Sequence, residues 1–367
     1  MPATATATAT AAPATLAATA SASPVIELKD VKVRALAKRV LHEFLVASEK
    51  AVASHAEPAT FLIAPEPDSA EQIFRRRLDS FAADKRNAAS VRVMALAKAP
   101  LAERKRYFGE MASLDLRSPL PIATQARALV LPASMKFPKS HLMTLGPPMP
   151  IIVSGGAIKP VTGNLAFRIH NVRCVDETNP EWFGNDEIGL GGVGIDETGE
   201  VAKIAESRVG NNFDDGDVRF YSPPMRFVSF NLNEGGDHWP KSYFVTLGLA
   251  EKDMGDGLDA FLGTLVTKIK ERLVEVLGAA IGGVIGSLGG PLTAVVGAAV
   301  GWIIGKVYDW LKSWWNDDIF PPRPVSVTIG SLTHRWPGGT TDSPEGVVRF
   351  VAHGGTYDLT YDWAVYS

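Results

Sequence analysis

Residues 276–305, VLGAAIGGVIGSLGGPLTAVVGAAVGWIIG, form a run of 30 residues without a charged side chain. Seven of its glycines recur every fourth residue on the two sides of a Gly-Gly-Pro break, namely Gly278, Gly282, Gly286, Gly290, Gly297, Gly301 and Gly305. Residues four apart lie on one face of an α-helix, and each glycine costs a helix about 1 kcal/mol relative to alanine. The spacing therefore predicts two helices that pack closely along glycine stripes, which we call the glycine zipper.

Two interpretations of this apolar run stay open. A single membrane span needs about 20 apolar residues, and the break leaves two arms of about 14, which is short for two spans. Aromatic residues and lysines at one end favour a membrane interface; the tryptophans concerned are Trp302, Trp310, Trp314 and Trp315. We expect a helical hairpin over 255–317 that packs against lipid or against protein, or that is hidden first and released later.

Alternating apolar and polar residues on both sides of this hairpin predict β-strands. The predicted strands are 165–175, 187–195, 225–232 and 243–251 before it, and 325–332, 346–352 and 356–366 after it. Since strands resume after the hairpin, it is an insertion into a β-domain. Short strands joined by turns favour two packed antiparallel sheets. The predicted fold class is α+β, an N-terminal helical region followed by an antiparallel β-sandwich with an inserted glycine-zipper hairpin.

The remaining chain divides by composition. The predicted order is a disordered Ala/Thr-rich tail (1–25), a helical domain (26–117), a proline-rich connector (118–150), and the β-domain in two parts (151–254 and 318–367). The tail lacks the basic and Leu/Val-rich regions of a standard secretory signal, so the sequence assigns no compartment; an exported protein with this tail would use a non-standard route, and membrane association is the other option. Asp68 and Ser69 are both candidate N-caps of a helix predicted from about Ser69 to Ala83. Helices rarely tolerate many prolines, which predicts an extended connector or a strap across the next domain.

Acidic residues crowd one part of the β-domain. Between His170 and Ala260 there are 18 acidic and 7 basic side chains. Candidate calcium ligands in its loops are Asp176, Glu177, Asp186, Glu187, Asp214, Asp215 and Asp217. Ca²⁺ takes six to eight oxygen ligands and would relieve their repulsion. The alternative is a solvated acidic surface whose carboxylates cap turns.

Catalytic and nucleic-acid-binding signatures are missing from the sequence. It contains neither a G-x-S-x-G elbow nor an H-E-x-x-H motif. Gly189, Gly191 and Gly194 match a dinucleotide fingerprint, but a turn follows them where that motif requires a helix. Cys174 has no partner for a disulfide, and the net charge of −3 shows no basic excess for nucleic acid. We predict no catalytic residues and no nucleic-acid partner.

These observations predict a non-enzymatic membrane-interacting protein, pore-forming or effector-like, that inserts the hairpin and forms a homo-oligomer through the glycine zipper. The alternative is a soluble binding or self-assembling structural protein in which the hairpin is buried and calcium adds stability. A lipid membrane is the expected partner in the first case, and a second copy of the chain in both.

Overall fold

The computed structural model describes residues 27–145, 163–177, 186–251, 258–283, 291–315 and 320–367. The predicted tail over 1–25 lies outside them. The helices are α1 (Val31–Ala56), α2 (Ala70–Asp79), α3 (Ala83–Ala97), α4 (Leu101–Phe108), α5 (Ile122–Arg127), α6 (Lys139–Met143), α7 (Leu258–Ile281) and α8 (Pro291–Trp315). The strands are β1 (Asn164–Asp176), β2 (Asp186–Ile195), β3 (Val201–Phe213), β4 (Val218–Asn231), β5 (Lys241–Glu251), β6 (Arg323–Ile329), β7 (Gly346–Ala352) and β8 (Gly355–Tyr366).

Side-chain caps explain where the first long helices begin. Asp30 accepts hydrogen bonds from the backbone N–H groups of Lys32 and Val33, each at 2.9 Å, and fixes the start of α1. Ser69 accepts one from Gln72 N–H at 3.3 Å, so the predicted cap of α2 is confirmed. Each cap satisfies backbone donors that have no partner inside the helix.

The proline-rich segment differs from its prediction. It contains the short helices α5 and α6, so the expectation of a continuously extended connector is wrong over 122–127 and 139–143. Pro121 and Pro138 precede the first residues of these helices. At that position the missing N–H of proline leaves no helical hydrogen bond unmade.

Two antiparallel four-stranded sheets follow the N-terminal helices, which confirms the α+β class. Sheet A has the order β4-β1-β8-β7, and sheet B the order β3-β2-β5-β6. The sheets share one hydrophobic cluster, to which sheet A contributes Phe167 and Trp363 and sheet B contributes Tyr243 and Leu247. Edge strand β3 had no predicted bounds, because it alternates weakly and contains Ala, Glu, Lys and Gly, which are depleted in strands.

The chain leaves sheet B after β5, forms α7 and α8, and returns to sheet B as β6. Helix α8 packs on β5 and β6 and also contacts α1, α3 and α6. Helix α7 packs on β2 and β3 and also contacts α1 and α2. A second hydrophobic cluster joins the N-terminal helices, both hairpin helices and the outer face of sheet B. Helices α7 and α8, which span the predicted hairpin and are called the hairpin below, therefore form the layer between sheet B and the N-terminal helices.

Candidate functional site

Helix α8 is enclosed on two sides although its composition suits a membrane. Within the described ranges, Leu292–Leu311 is the one helical segment long and apolar enough to cross a bilayer, with a mean hydropathy of 1.3 over its most apolar window. Of that window, 72% is buried inside the protein. A buried core helix of a soluble protein has the same length and composition. The described conformation therefore hides the apolar surface of α8.

The zipper glycines of the second arm lie in three different environments. A Cβ atom at Gly297 would overlap the ring of Phe244 on β5, so the close approach here is between helix and sheet. Gly301 is buried within α8. At Gly305 a Cβ would meet no atom within 4 Å. Among the described contacts of these three glycines, only the Phe244 ring beside Gly297 leaves no room for a Cβ atom.

The first arm ends earlier than the glycine spacing predicts. Gly278 is buried within α7. Gly282 follows the last residue of that helix with a φ of +74°, a left-handed conformation typical of a residue that ends a helix. Gly286 and Gly290 lie outside the described residues. Glycine-to-glycine packing of the two helices therefore stays a prediction.

Of the four predicted interfacial tryptophans, Trp310 has the best-defined partners. Its indole Nε1 donates to Ser48 Oγ of α1 at 3.3 Å, and its ring lies 5.5 Å from the ring of Phe108, centre to centre. Trp302 is partly buried against the helical core. The last residues of α8 include Trp314 and Trp315, and only their backbone is described. Trp310 therefore ties α8 to the N-terminal helices.

Ion pairs join α7 to the N-terminal helices. Arg272 is 7% exposed and pairs with Glu43 of α1, which is 3% exposed, at 2.8 Å. Nearer the surface, Glu275 pairs with Arg127 of α5 at 2.8 Å. Lys268 likewise pairs with Asp68 at 2.8 Å. Lys268, Arg272 and Glu275 are three to four residues apart and therefore lie on one face of α7, but no local sequence pattern identifies their partners.

All six of these charged residues line a cleft of about 300 Å³ between α1, α2, α5 and α7. The floor of the cleft is the buried pair and its rim is formed by the exposed pairs. One side of the contact between the hairpin and the N-terminal helices is therefore polar and open to water.

Further buried charged groups lie among the N-terminal helices. Arg104 donates to Glu49 at 2.6 Å, and Lys50 donates to the carbonyl oxygen of Ser118 at 2.7 Å. Burial raises the pKa of Glu49 to about 7, although Arg104 opposes the shift. Burial lowers the pKa of His42 to about 4, and the nearby Lys38 charge adds to the shift. Two groups of α1 therefore titrate far from their ordinary values, in opposite directions.

A buried ionic group anchors the start of α8 to sheet B. Lys241 Nζ lies 3.0 Å from Glu197 Oε1, and Tyr243 O–H donates to Glu197 Oε2 at 2.6 Å. Thr293 of α8 donates to the carbonyl oxygen of Glu197 at 2.7 Å. Nothing in the sequence pattern indicated this group, because its members are distant along the chain.

The described acidic loops place their carboxylates on backbone amides. Asp215 accepts from Glu177 N–H at 2.8 Å, which joins the end of β1 to the β3–β4 turn. Within that turn, Asp214 accepts from Asp215 N–H at 2.7 Å, and Asp217 accepts from Asp214 N–H at 3.2 Å. These contacts are those of the alternative interpretation, in which carboxylates cap turns.

The predicted calcium ligands nevertheless share one end of the two sheets. Asp176 ends β1, and Asp186, which opens β2, is paired with Phe213 at the end of β3. Only the backbone of Asp186 and Glu187 is described. The hairpin leaves from the same end, because Glu251, the last residue of β5, pairs with Ile188 of β2. A calcium site here stays a prediction.

A different acidic group lies at the β2–β3 turn. One oxygen each of Asp196, Glu200 and Glu234 lie within 4.8 Å of one another. Asp196 also accepts hydrogen bonds from the backbone N–H groups of Thr198 and Glu200 at 2.8 and 2.9 Å. These carboxylates are partly or fully exposed. The role of Asp196 is explained by the hydrogen bonds with which it stabilises the turn.

The candidate enzyme signatures lie in the β-domain. Cys174 is buried in the cluster shared by the two sheets. Gly189, Gly191 and Gly194 belong to β2, and an antiparallel strand follows them, as the sequence predicts.

The chain was compared with models of protein families, with curated protein sequences and with solved structures, and none of the three gave a match.

Proposed function

We propose that this protein is a non-enzymatic membrane-interacting protein, that the α7–α8 hairpin is its interacting element, and that the described conformation is a closed form. One observation carries the proposal: Leu292–Leu311 has the length and apolar composition of a membrane span and lies between sheet B and the N-terminal helices. The two sheets serve as a β-sandwich scaffold, and the hairpin leaves from the end that carries the predicted calcium ligands.

The polar cleft lies between α7 and the N-terminal helices. We therefore expect these helices, which we call the cover, to separate from the hairpin more readily than sheet B does. Exposed pairs such as Lys268–Asp68 add little stability, because water screens the attraction between their charges. For the buried Arg272–Glu43 pair, the desolvation of two charges offsets much of their attraction. Phe244 and Gly297, in contrast, make an apolar contact between the hairpin and sheet B. Opening would therefore begin at the cleft, on the side of α7 that faces α1 and α5.

Homo-oligomer formation belongs to the open form. Glycine stripes allow helices to approach closely, as in membrane bundles. In the closed form Gly301 is buried in α8. Separation of the N-terminal helices would expose the α8 face that contacts α1 and α3. Gly297 and Gly301 share the α8 face that meets Phe244 of sheet B, so we propose that the hairpin also separates from sheet B before its glycine zipper packs against a second copy of the hairpin.

A second candidate is a soluble binding or self-assembling protein with a permanently buried hairpin. The observation that favours it is the continuous hydrophobic cluster through the N-terminal helices, the hairpin and sheet B. In that case Arg272 and Glu43 fix the packing of α7 on α1 and are never separated.

Flotation with phosphatidylcholine vesicles that contain a trapped dye distinguishes the two functions. The variant Glu43→Ala weakens the cover, and Arg349→Ala, which removes an exposed pair with Asp358 on sheet A, is the matched control. The membrane proposal predicts that Glu43→Ala floats and releases dye more than the wild type and the control. If Glu43→Ala only lowers the midpoint of unfolding and stays with the aqueous fraction, the soluble function replaces it.

A further inference from the structure

A pocket of about 310 Å³ lies between α8, strands β5 and β6, and the start of α1. Most of its wall is apolar; the residues are Val33, Leu145, Phe244, Ala294, Val295 and Ala298. Protein interiors seldom contain voids much larger than a water molecule. A concave apolar pocket of about 300 Å³ or more with a few polar groups is typical of small-molecule sites.

Small residues of α8 create this space. Ala294 and Ala298 are four residues apart and therefore share a face of the helix. Between them, Gly297 receives the ring of Phe244. The ring fills the space next to the glycine, and the two alanines leave the neighbouring space between helix and sheet open. The small-residue pattern of α8 thus has a local consequence besides helix packing.

The sheet side of the pocket carries hydroxyl groups. Ser242 of β5 is paired with Thr328 of β6, and Phe244 is paired with Ser326, so all four line the pocket on one face of sheet B. Ser242 is 3% exposed. Its Oγ lies 3.0 Å from Thr328 Oγ1, and either hydroxyl can be the donor. Each hydroxyl has one proton. The hydrogen bond within the pair uses one of the two protons, and the other can be donated to an oxygen acceptor.

The charges at the mouth are few. Asp30 already accepts hydrogen bonds from the first turn of α1 and lies 2.9 Å from His141 Nε2. Glu27 and Lys29, both exposed, carry opposite charges. The pocket therefore suits a ligand with an apolar body and an oxygen acceptor.

We propose that this pocket binds a single medium-length acyl chain through its apolar wall and the carbonyl or carboxylate oxygen of that chain through the Ser242–Thr328 hydroxyls. Its volume is about twice that of a cavity of roughly 150 Å³ that takes benzene, which is enough for one medium-length chain and too little for a large lipid. The proposal does not rest on release of the hairpin, because the pocket exists in the closed form.

Calorimetry of the full chain with decanoate tests the proposal without membranes. A second titration uses monomeric decanoyl-lysophosphatidylcholine, so the tighter ligand identifies a free fatty acid or a phospholipid as the source of the chain. Wild type should bind at least one of the two with a thermal shift that rises with ligand concentration. Ala298→Phe fills the pocket and should weaken binding at least about tenfold, a loss of about 1.4 kcal/mol.

The control variant is Ala279→Phe, which places the same side chain at an exposed position of α7 and should bind as wild type does. Ser242→Ala combined with Thr328→Val removes the hydroxyls, keeps the apolar wall and should weaken binding several-fold. It also serves if Ala298→Phe does not fold. Absence of binding by wild type, or equal affinity in wild type and both pocket variants, would overturn the proposal.

Discussion

Nε of Arg272 lies 2.8 Å and 3.0 Å from the two carboxylate oxygens of Glu43, in a pair that joins α7 of the hairpin to α1 of the N-terminal helices. Nη1 of the same guanidinium lies 2.7 Å from Glu275. Among the described residues, the Arg272–Glu43 pair is the most deeply buried ion pair between the hairpin and the N-terminal helices. Its removal should therefore have a large and specific effect.

Glu43→Ala leaves the buried Arg272 charge without its main partner. We expect a loss of about 3–5 kcal/mol in the free energy of unfolding, measured with urea. Replacement of both charges, Glu43→Leu with Arg272→Met, should restore stability to within about 1 kcal/mol of wild type, since the desolvation penalty disappears as well. A double variant as unstable as Glu43→Ala would show that the pair itself contributes the stability.

Gly297 and Gly305 should respond oppositely to alanine. At Gly297 the added Cβ overlaps the Phe244 ring, so Gly297→Ala should lower stability by about 1–3 kcal/mol. At Gly305 the space is open, and Gly305→Ala should raise stability by up to about 1 kcal/mol through helix propensity. Thermal unfolding measures both. Equal effects of the two substitutions would contradict the assigned helix-to-sheet contact.

The glycine zipper has its own test in Gly301→Leu. A bulky side chain in the stripe should reduce any oligomer that forms through the zipper. Mass determination after size exclusion, with and without vesicles, checks this result, and Gly305→Ala serves as the mild control. An oligomer of unchanged mass in Gly301→Leu would remove the zipper from the assembly.

The pH dependence of stability should show two opposed contributions from α1. His42 has its pKa lowered to about 4, so its contribution is present above pH 6.5 and is lost as the pH falls through 4. Glu49 has its pKa raised to about 7, so its contribution is present below pH 4.5 and is lost as the pH rises through 7. Between these values the two slopes, each up to about 1.4 kcal/mol per pH unit, oppose one another.

Single variants should separate these slopes. In His42→Asn, the remaining Glu49 contribution should make the protein lose stability as the pH rises from 5 to 7. In Glu49→Gln, the remaining His42 contribution should make it lose stability as the pH falls from 6 to 4. Urea unfolding at a series of pH values gives both slopes. Parallel pH profiles for the two variants would contradict these pKa shifts.

Calcium binding at the acidic end of the sheets predicts a higher midpoint of thermal unfolding in calcium than in EGTA. A calcium concentration of about 100 times the dissociation constant adds about 2.7 kcal/mol to the free energy of unfolding. Asp214→Asn with Asp217→Asn should abolish the difference. Asp196→Asn, at the β2–β3 turn, is the control and should leave it unchanged. An equal midpoint in calcium and EGTA would leave the turn-capping hydrogen bonds as the whole role of these carboxylates.

Elements with a strong local pattern could be predicted from the sequence. Helices and contacts that depend on partners distant along the chain could not. The alternation of β8 and the Ser69 cap are local signals, and both were confirmed. Helices α5 and α6 were missed because prolines exclude helix interiors but not the positions before the first turn. The pairing of Arg272 with Glu43 spans 229 positions along the chain, and no local pattern encodes it.

The glycine register shows the same limit. Regular spacing identified helices with small faces, yet only the structure shows that Gly297 meets a phenylalanine of sheet B. A four-residue repeat specifies a face and leaves open whether protein or lipid covers it. Composition likewise identified an apolar segment, whereas its burial depends on helices α1, α3 and α6, which lie far earlier in the chain.

Entry of α8 into lipid is tested most directly by a fluorescent label at Gly305→Cys in a Cys174→Ala background. Gly305 has open space in the closed form, and Ala205→Cys on exposed strand β3 is the control. In phosphatidylcholine vesicles that carry nitroxide-labelled acyl chains, we expect quenching of the label at residue 305 and none at residue 205. A label at residue 305 that stays unquenched, in protein that remains in the aqueous fraction, would contradict the claim.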